Sequence, residues 1–232
     1  MTKLNVVELR RYTLRPGRRD ELIDLFDREF VESQEEVGIR VLGQFRDLDD
    51  PDRFVWLRAF PDMDARRESL TAFYVHGRAW RDHRDAARAT MLDTTDVLLL
   101  RPTRPDTLPL PSPGTISRVA VTVHHLATDA AEFAEFFTTT VEPVLTATGA
   151  PPPACFRTEP AENTFPALPV RTGETVFVHL TTFPTAADHH DHQRRLAADP
   201  HWRDRVLPAL TDHLTAPTRH LTLTPTARSR LR

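Results

Sequence analysis

Phe54-Val-Trp-Leu-Arg-Ala-Phe-Pro61 and Phe177-Val-His-Leu-Thr-Thr-Phe-Pro184 are one strand written twice. Each is followed by a polar helical stretch that reaches Trp-Arg-Asp, at Trp80-Arg81-Asp82 and again at Trp202-Arg203-Asp204. The offset is 123 from position 54 to position 177 and 122 from position 80 to position 202, so one residue is lost between the landmarks. Val97-Leu-Leu-Leu-Arg-Pro102 against His220-Leu-Thr-Leu-Thr-Pro225 restores the first offset. A repeat of this length marks a duplicated fold unit.

Outward from that strand, the first unit reads β-α-β-β-α-β. Residues 5–14 alternate as a strand, Pro16-Gly17 breaks it, and Leu22, Phe26 and Phe30 recur at helical spacing. Ile39 to Arg46 is a second strand, joined to the third by the turn Asp47-Leu-Asp-Asp-Pro-Asp52. Two helical stretches, 63–70 and 73–90, precede a fourth strand at 97–101. This order is the split βαβ arrangement, an antiparallel sheet with its helices on one face. The bare second face needs a cover. A duplicate supplies one, either by closing a barrel with helices outside or by stacking two sheets; about eight strands suffice for a barrel.

We place the first unit at 1–102, a proline-rich linker at 103–114, the second unit at 115–225 and a flexible tail at 226–232. In the second unit Asp129-Ala-Ala-Glu132 should cap a helix carrying Phe133, Phe136, Phe137 and Val141, which Pro143 should kink or end. Three prolines at 151–153 restrict regular pairing of its second strand to Ala154 to Thr158. The longer excursion Glu159 to Gly173 is either a flap over a cavity or a plain surface loop.

Composition excludes several classes. The 232 residues are 40% hydrophobic and 27% charged, as in ordinary globular proteins, with a net charge of −3 that offers no field for nucleic acid or an anionic membrane. Cys155 is alone, so no intrachain disulfide forms, and no apolar run approaches the ~18 residues of a membrane span. The strand pattern begins almost at Met1, leaving no room for a signal peptide, and a cytoplasmic protein is expected.

Assigning Val55, Leu57 and Ala59 to the helices sends Phe54, Trp56, Arg58 and Phe60 into the barrel, with Phe177, His179, Thr181 and Phe183 at the matching positions. Glu8, Arg10 and Tyr12, Thr122 and His124, and the second-strand pair Gln44 and Cys155 follow them. Such an interior would bind a small molecule through Trp56, Phe60, Phe177, Phe183, Thr181, Gln44, Glu8 and Arg10. His179 or His124 would move a proton, Arg58 would stabilise an oxyanion and Tyr12 would donate. Each has a structural alternative: satisfied buried histidines, an Arg10–Arg58–Glu8 ion network, a packed tyrosine and a buried, inert Cys155. Asp188-His-His-Asp-His192 suggests metal, yet only His189 and His192 would share a helix face, and the aligned Arg66-Arg67-Glu68-Ser69 reads as a solvated face. No metal and no cofactor are expected. Gly-rich phosphate loops, a Gly-x-Ser-x-Gly elbow and His-Glu-x-x-His are missing from the sequence.

The opening Val7-Glu-Leu-Arg-Arg-Tyr-Thr-Leu-Arg-Pro-Gly17 resembles the NIPSNAP family, whose members commonly start with a Glu-Leu-Arg-x-Tyr strand and a Pro-Gly turn. Phe60-Pro61 and the Tyr74 to Arg84 helix with Trp80 are similar too, so the likeness covers about Val6 to Pro102. The second unit keeps Phe183-Pro184 and Trp202-Arg203-Asp204 but opens with Arg118-Val-Ala-Val-Thr-Val-His-His125 instead. The resemblance implies an α+β class fold, tandem ferredoxin-like units forming a pseudo-twofold α+β barrel with antiparallel sheets inside and helices outside. It also implies a group that includes cofactor-independent monooxygenases, isomerases, cyclases, haem enzymes and members without known activity. The expectation is a cofactor-independent small-molecule enzyme, an isomerase, cyclase, dehydratase or monooxygenase working by acid/base chemistry in the barrel interior. A non-catalytic binding or interaction protein and a haem enzyme are the alternatives. The chain is expected to be a monomer or homodimer.

Overall fold

The computed structural model describes residues 3–104 and 116–232, so the expected linker lies outside the described residues apart from Thr103 and Arg104. Eight strands are formed: β1 Val6–Leu14, β2 Arg40–Asp47, β3 Arg53–Phe60, β4 Met91–Pro102, β5 Arg118–His125, β6 Ala154–Thr158, β7 Val176–Phe183 and β8 Arg219–Pro225. They close into one antiparallel barrel in the order β1-β3-β2-β8-β5-β7-β6-β4. Each unit contributes four neighbouring strands with its first strand between its third and fourth, as the split βαβ pattern requires. The units join at two seams. Phe45, Arg46 and Asp47 of β2 pair with Pro225, Thr224 and Leu223, and Leu100, Arg101 and Pro102 of β4 pair with Thr158, Arg157 and Phe156. Both seams satisfy strand edges that a single unit would leave open.

The helices lie outside, at 19–36, 63–76 and 78–90 on the first unit and at 130–147, 186–198 and 202–212 on the second. Their starts follow the local chemistry. Asp62 accepts from the Ala65 amide at 2.8 Å and Asp129 from the Ala131 amide at 2.7 Å, while Thr185 and Asp188 form a capping box. Of the two effects expected of Pro143, a kink or an end, the helix shows no end there. The π turn Phe137–Val141 precedes it, placing the proline at the changed hydrogen-bond register and letting the helix run to Ala147.

Aliphatic side chains from all eight strands fill the barrel, among them Leu9, Leu57, Leu100, Val121, Leu180 and Leu223. Phe45 and Phe156 complete this core, to which no helix contributes. Here the expected faces are inverted: Val55, Leu57 and Ala59 point into the barrel, whereas Phe54, Trp56 and Phe60 pack under the helices of the first unit and Phe177 under those of the second. The reason is steric and electrostatic. An eight-stranded barrel is only wide enough for its own medium-sized side chains, and backbone walls would leave an arginine inside without partners or water. The wider gap between sheet and helices holds the aromatic and charged residues. Because β3 is buried on both faces, period-two alternation could not tell one from the other.

The C-terminal residues pack against the barrel and the 19–36 helix. Leu231 is 3% exposed and joins the barrel core, Ser229 Oγ accepts from the Gln44 amide, and Arg228 and Arg230 pair with Glu32 and Glu35. The apolar plug Leu231, preceded by two arginines that meet two glutamates one helical turn apart, makes this segment a clasp. Replacing Phe45 by Ala should leave a cavity in the sealed barrel and lower unfolding free energy by about 3–5 kcal/mol in urea melts, with the m-value unchanged.

Candidate functional site

The sequence-predicted residues do not converge on one interior site. They divide between two equivalent places, each between a sheet and its own helices. Register shows the equivalence: Tyr12, Arg10 and Glu8 face Phe54, Trp56 and Arg58 across β1 and β3, and His124, Thr122 and Ala120 face Phe177, His179 and Thr181 across β5 and β7. The same framework therefore presents Tyr, Trp, Arg and Glu in one unit and His, His, Thr and Ala in the other.

In the second unit a cavity of about 270 Å³ opens under the helices. His124 and His179 line it from the sheet with Thr122, Thr181 and Phe183, and His189 and His192 line it from the 186–198 helix. His220 of β8 borders it too, beside Thr218. The His124 and His179 rings stack with centroids 5.4 Å apart. Nδ1 of His124 is 3.1 Å from the Thr218 hydroxyl, while its Nε2 and the Nδ1 of His179 are buried without partners. Burial pushes His124 down to about 3, helped by His220 and His125, and holds His179 well below its ordinary value, helped by His124. Burial lowers His189, His192 and His220 as well. The cavity therefore presents neutral imidazoles, hydroxyls and apolar walls, and among the described residues no Asp, Glu, Lys or Arg lines it. Phe177 supports the stack from behind, 4.6 Å from Phe137.

In the first unit the corresponding space is filled with charge. Glu8 is fully buried and accepts from Arg10 at 2.6 Å and from Arg58 and Arg66 at 2.7 Å each. Burial alone would raise its carboxyl, but Arg58, Arg10 and Arg66 outweigh that and hold it well below the usual range. Arg10 donates to the Tyr12 hydroxyl at 3.0 Å, and burial, only partly offset by Arg10, pushes that phenol up so that it keeps its proton. Arg58 lies over the Trp56, Phe60 and Tyr74 rings and donates to Gln34 and Tyr74. Gln44 sits opposite Trp56 with both side-chain polar atoms buried and unpartnered. Arg58 thus cannot serve the histidines, because the two belong to different units.

Several residues escaped the sequence reading. Arg66, taken for a solvated face, is fully buried; its spacing from Met63 and Leu70 puts it on the inward stripe of its helix, a signal that helical periodicity offered. His220 was visible only as a strand landmark, and its approach to His124 and Thr122 comes from β5–β8 pairing. The expected sharing of a face by His189 and His192 is observed, and both stack on Phe183. Asp188 is occupied as a helix cap. Among the described residues no group of three or more His, Cys, Asp or Glu is arranged to hold a metal ion. Nor do these residues fit a haem: about 270 Å³ is small for four pyrroles, and among the described residues no Lys or Arg lines the cavity to hold the propionates. Cys155 is buried, with its thiol pushed up to about 12, which suits packing rather than attack.

Two outcomes follow from these burials. Glu8→Gln should cost about 3–5 kcal/mol in chemical denaturation, since three guanidinium groups lose their shared counter-charge. His124 and His179 titrate lower when folded, so stability is full above about pH 6.5 and is lost as pH falls toward the folded values. The limiting slope is about 1.4 kcal/mol per pH unit for each ring. His124→Gln and His179→Gln should flatten that slope between pH 6.5 and 4.5, above the range where carboxylates dominate.

Comparison with known proteins places the fold. An anthrone oxidase-like protein superposes with a TM-score of 0.60 at 11% identity, over 100% of this chain and 95% of its own. A monooxygenase candidate from Fusobacterium nucleatum gives 0.58 at 11%, over 97% and 94%. A chlorite dismutase candidate gives 0.54 at 13%, over 100% and 98%. At these identities the likeness is one of fold, and the names span different chemistries. No curated protein sequence matches the chain significantly. Among the described residues no helix is long and apolar enough to cross a membrane. The NIPSNAP family profile matches residues 7–105, which span β1 to β4 and carry the Glu8–Arg10–Tyr12 opening; the protein is therefore a duplicated ferredoxin-like α+β barrel whose first unit matches the NIPSNAP family.

Proposed function

We infer that the protein is a cofactor-independent small-molecule enzyme whose working site is the histidine cavity of the second unit, not the barrel interior. The observation that carries this is the stacked pair His124 and His179, held neutral beside a largely apolar cavity and with unpartnered ring nitrogens. A proton on either ring alone is costly there, so uptake becomes favourable only when a negative charge forms next to it. That condition couples protonation of His179 to formation of a substrate enolate or phenolate. Enolate-forming isomerisation, cyclisation, dehydration and oxygenation of carbonyl compounds share this deprotonation as their first step. Thr122, Thr181 and Thr218 offer hydroxyls to the developing oxyanion, the part the sequence reading gave to Arg58.

The volume, near the lower end of small-molecule pockets, suits a compact flat ligand, and the uncharged lining favours a neutral one. The anthrone oxidase-like neighbour suggests a first probe, because an anthrone is a neutral ketone whose central CH₂ yields an aromatic enolate on losing a proton. Exchange of that CH₂ in D₂O, followed by NMR, should be accelerated by the protein. His179→Gln should reduce the acceleration by about 10²–10⁴-fold while leaving the melting transition in place. Binding of anthrone and related flat ketones without any accelerated exchange would remove the enzymatic reading and leave a binding protein.

A further inference from the structure

The first unit holds a second cavity, of about 180 Å³, that the histidine chemistry does not use. Tyr12, Phe30, Trp56, Phe73, Tyr74 and Trp80 wall it with aromatic surface. Among the described residues, Arg88 is the only charged one lining it. The loop between β6 and β7 closes one side: Ala167, Leu168 and Pro169 line the space, Asn163 accepts from Arg66 at 3.0 Å, and Thr164 donates to the Met63 carbonyl at 3.1 Å. The excursion read as a flap or a plain loop thus covers the neighbouring unit's cavity, and the site is complete only with both units.

Behind the aromatic wall the charges do not balance. Arg10, Arg58 and Arg66 share the single carboxylate of Glu8, three positive charges against one negative, and all four side chains are at most 1% exposed. Nη2 of Arg58 and Nη2 of Arg66 are buried without partners. Unpaired buried charge and unused donors are among the costliest features a protein retains. The groups that separate this cluster from the cavity transmit the same preference. Tyr12 accepts from Arg10 and Tyr74 accepts from Arg58, so each hydroxyl is polarised and, among the described residues, neither proton has an acceptor. Nε1 of Trp56 is likewise unused. Three unused donors and an excess of positive charge call for an anion, and the aromatic wall calls for a flat apolar body attached to it.

We propose that the first unit binds a small aryl carboxylate, with its ring among Trp56, Phe73 and Trp80 and its carboxylate accepting from the Tyr12 and Tyr74 hydroxyls. The carboxylate supplies part of the negative charge that the arginine cluster lacks, and Arg88 attracts it to the cavity. One ring with a short acid arm matches the volume. This site differs in ligand charge from the neutral-substrate cavity of the second unit and stands whether or not that cavity is catalytic.

Calorimetric titration of the full chain with benzoate and phenylacetate, against benzamide and phenylacetamide, tests the assignment. The acids should bind at least about tenfold more tightly than the amides and quench tryptophan fluorescence. Tyr12→Phe together with Tyr74→Phe should weaken the acids about tenfold or more, since each removes a charge-assisted hydrogen bond. Ala167→Trp, on the exposed loop, should block binding by filling the cavity without touching the buried network. Equal affinity for acids and amides would overturn the proposal. So would affinity that survives the tyrosine and loop variants, or displacement of the acids by chloride or sulfate at matching concentration, which would make the cluster a site for simple ions.

Discussion

Closure of the barrel is the constraint from which the rest follows. Eight strands joined at the β2–β8 and β4–β6 seams enclose a space that aliphatic side chains fill, with Phe45 and Phe156 at its centre and Leu231 drawn in from the C-terminus. Large polar residues on this inward face need partners of their own, as where Arg11, opposite Val55, meets Asp96 at 2.8 Å, because the wall is backbone already bonded to its neighbours. Polar chemistry is displaced to the outer face of each sheet, where helices provide a second wall and side chains rather than ladders line the gap. The chain therefore has two sheet–helix clefts, and no site at its centre.

Duplication let those clefts diverge. Tyr12 corresponds to His124, Trp56 to His179, Arg58 to Thr181 and Glu8 to Ala120, so one unit carries a buried ion network and the other carries none. The charged unit keeps a smaller cavity of about 180 Å³ and is covered by the β6–β7 loop through Asn163 and Thr164. The neutral unit has the larger cavity, bordered by His220 on β8. A buried arginine cluster and a pair of neutral histidines could not share one cleft: the cations would suppress further the protonation that burial already disfavours. Separation onto two sheets lets one chain hold both.

Much of the fold was legible from residue patterns because it rests on local rules. Asp129 at a helix start, the proline run before Ala154 and the Phe-Pro strand ends of both units each act within a few residues, and the structure shows their consequences. The candidate site was half legible. His124, His179, Thr181 and Phe183 do meet at one cavity, and Glu8, Arg10 and Arg58 do form one network. Their common destination was misread, since both faces of β3 and β7 are buried and apolar alternation carries no label for inside and outside.

The sequence by itself determined the duplication, the strand order within each unit, the lone buried cysteine and the absence of any charge pattern suited to nucleic acid. These depend on composition, spacing and short-range backbone preference. Only the tertiary structure decided which sheet face meets the helices, that the C-terminal segment is clasped by Glu32 and Glu35, and that the loop of one unit seals the cavity of the other. Those outcomes depend on which residues distant in the chain become neighbours when the barrel closes. That is set by the volume of the enclosed space and by where buried charge can find a partner, quantities that belong to the assembled sheet and to no single segment.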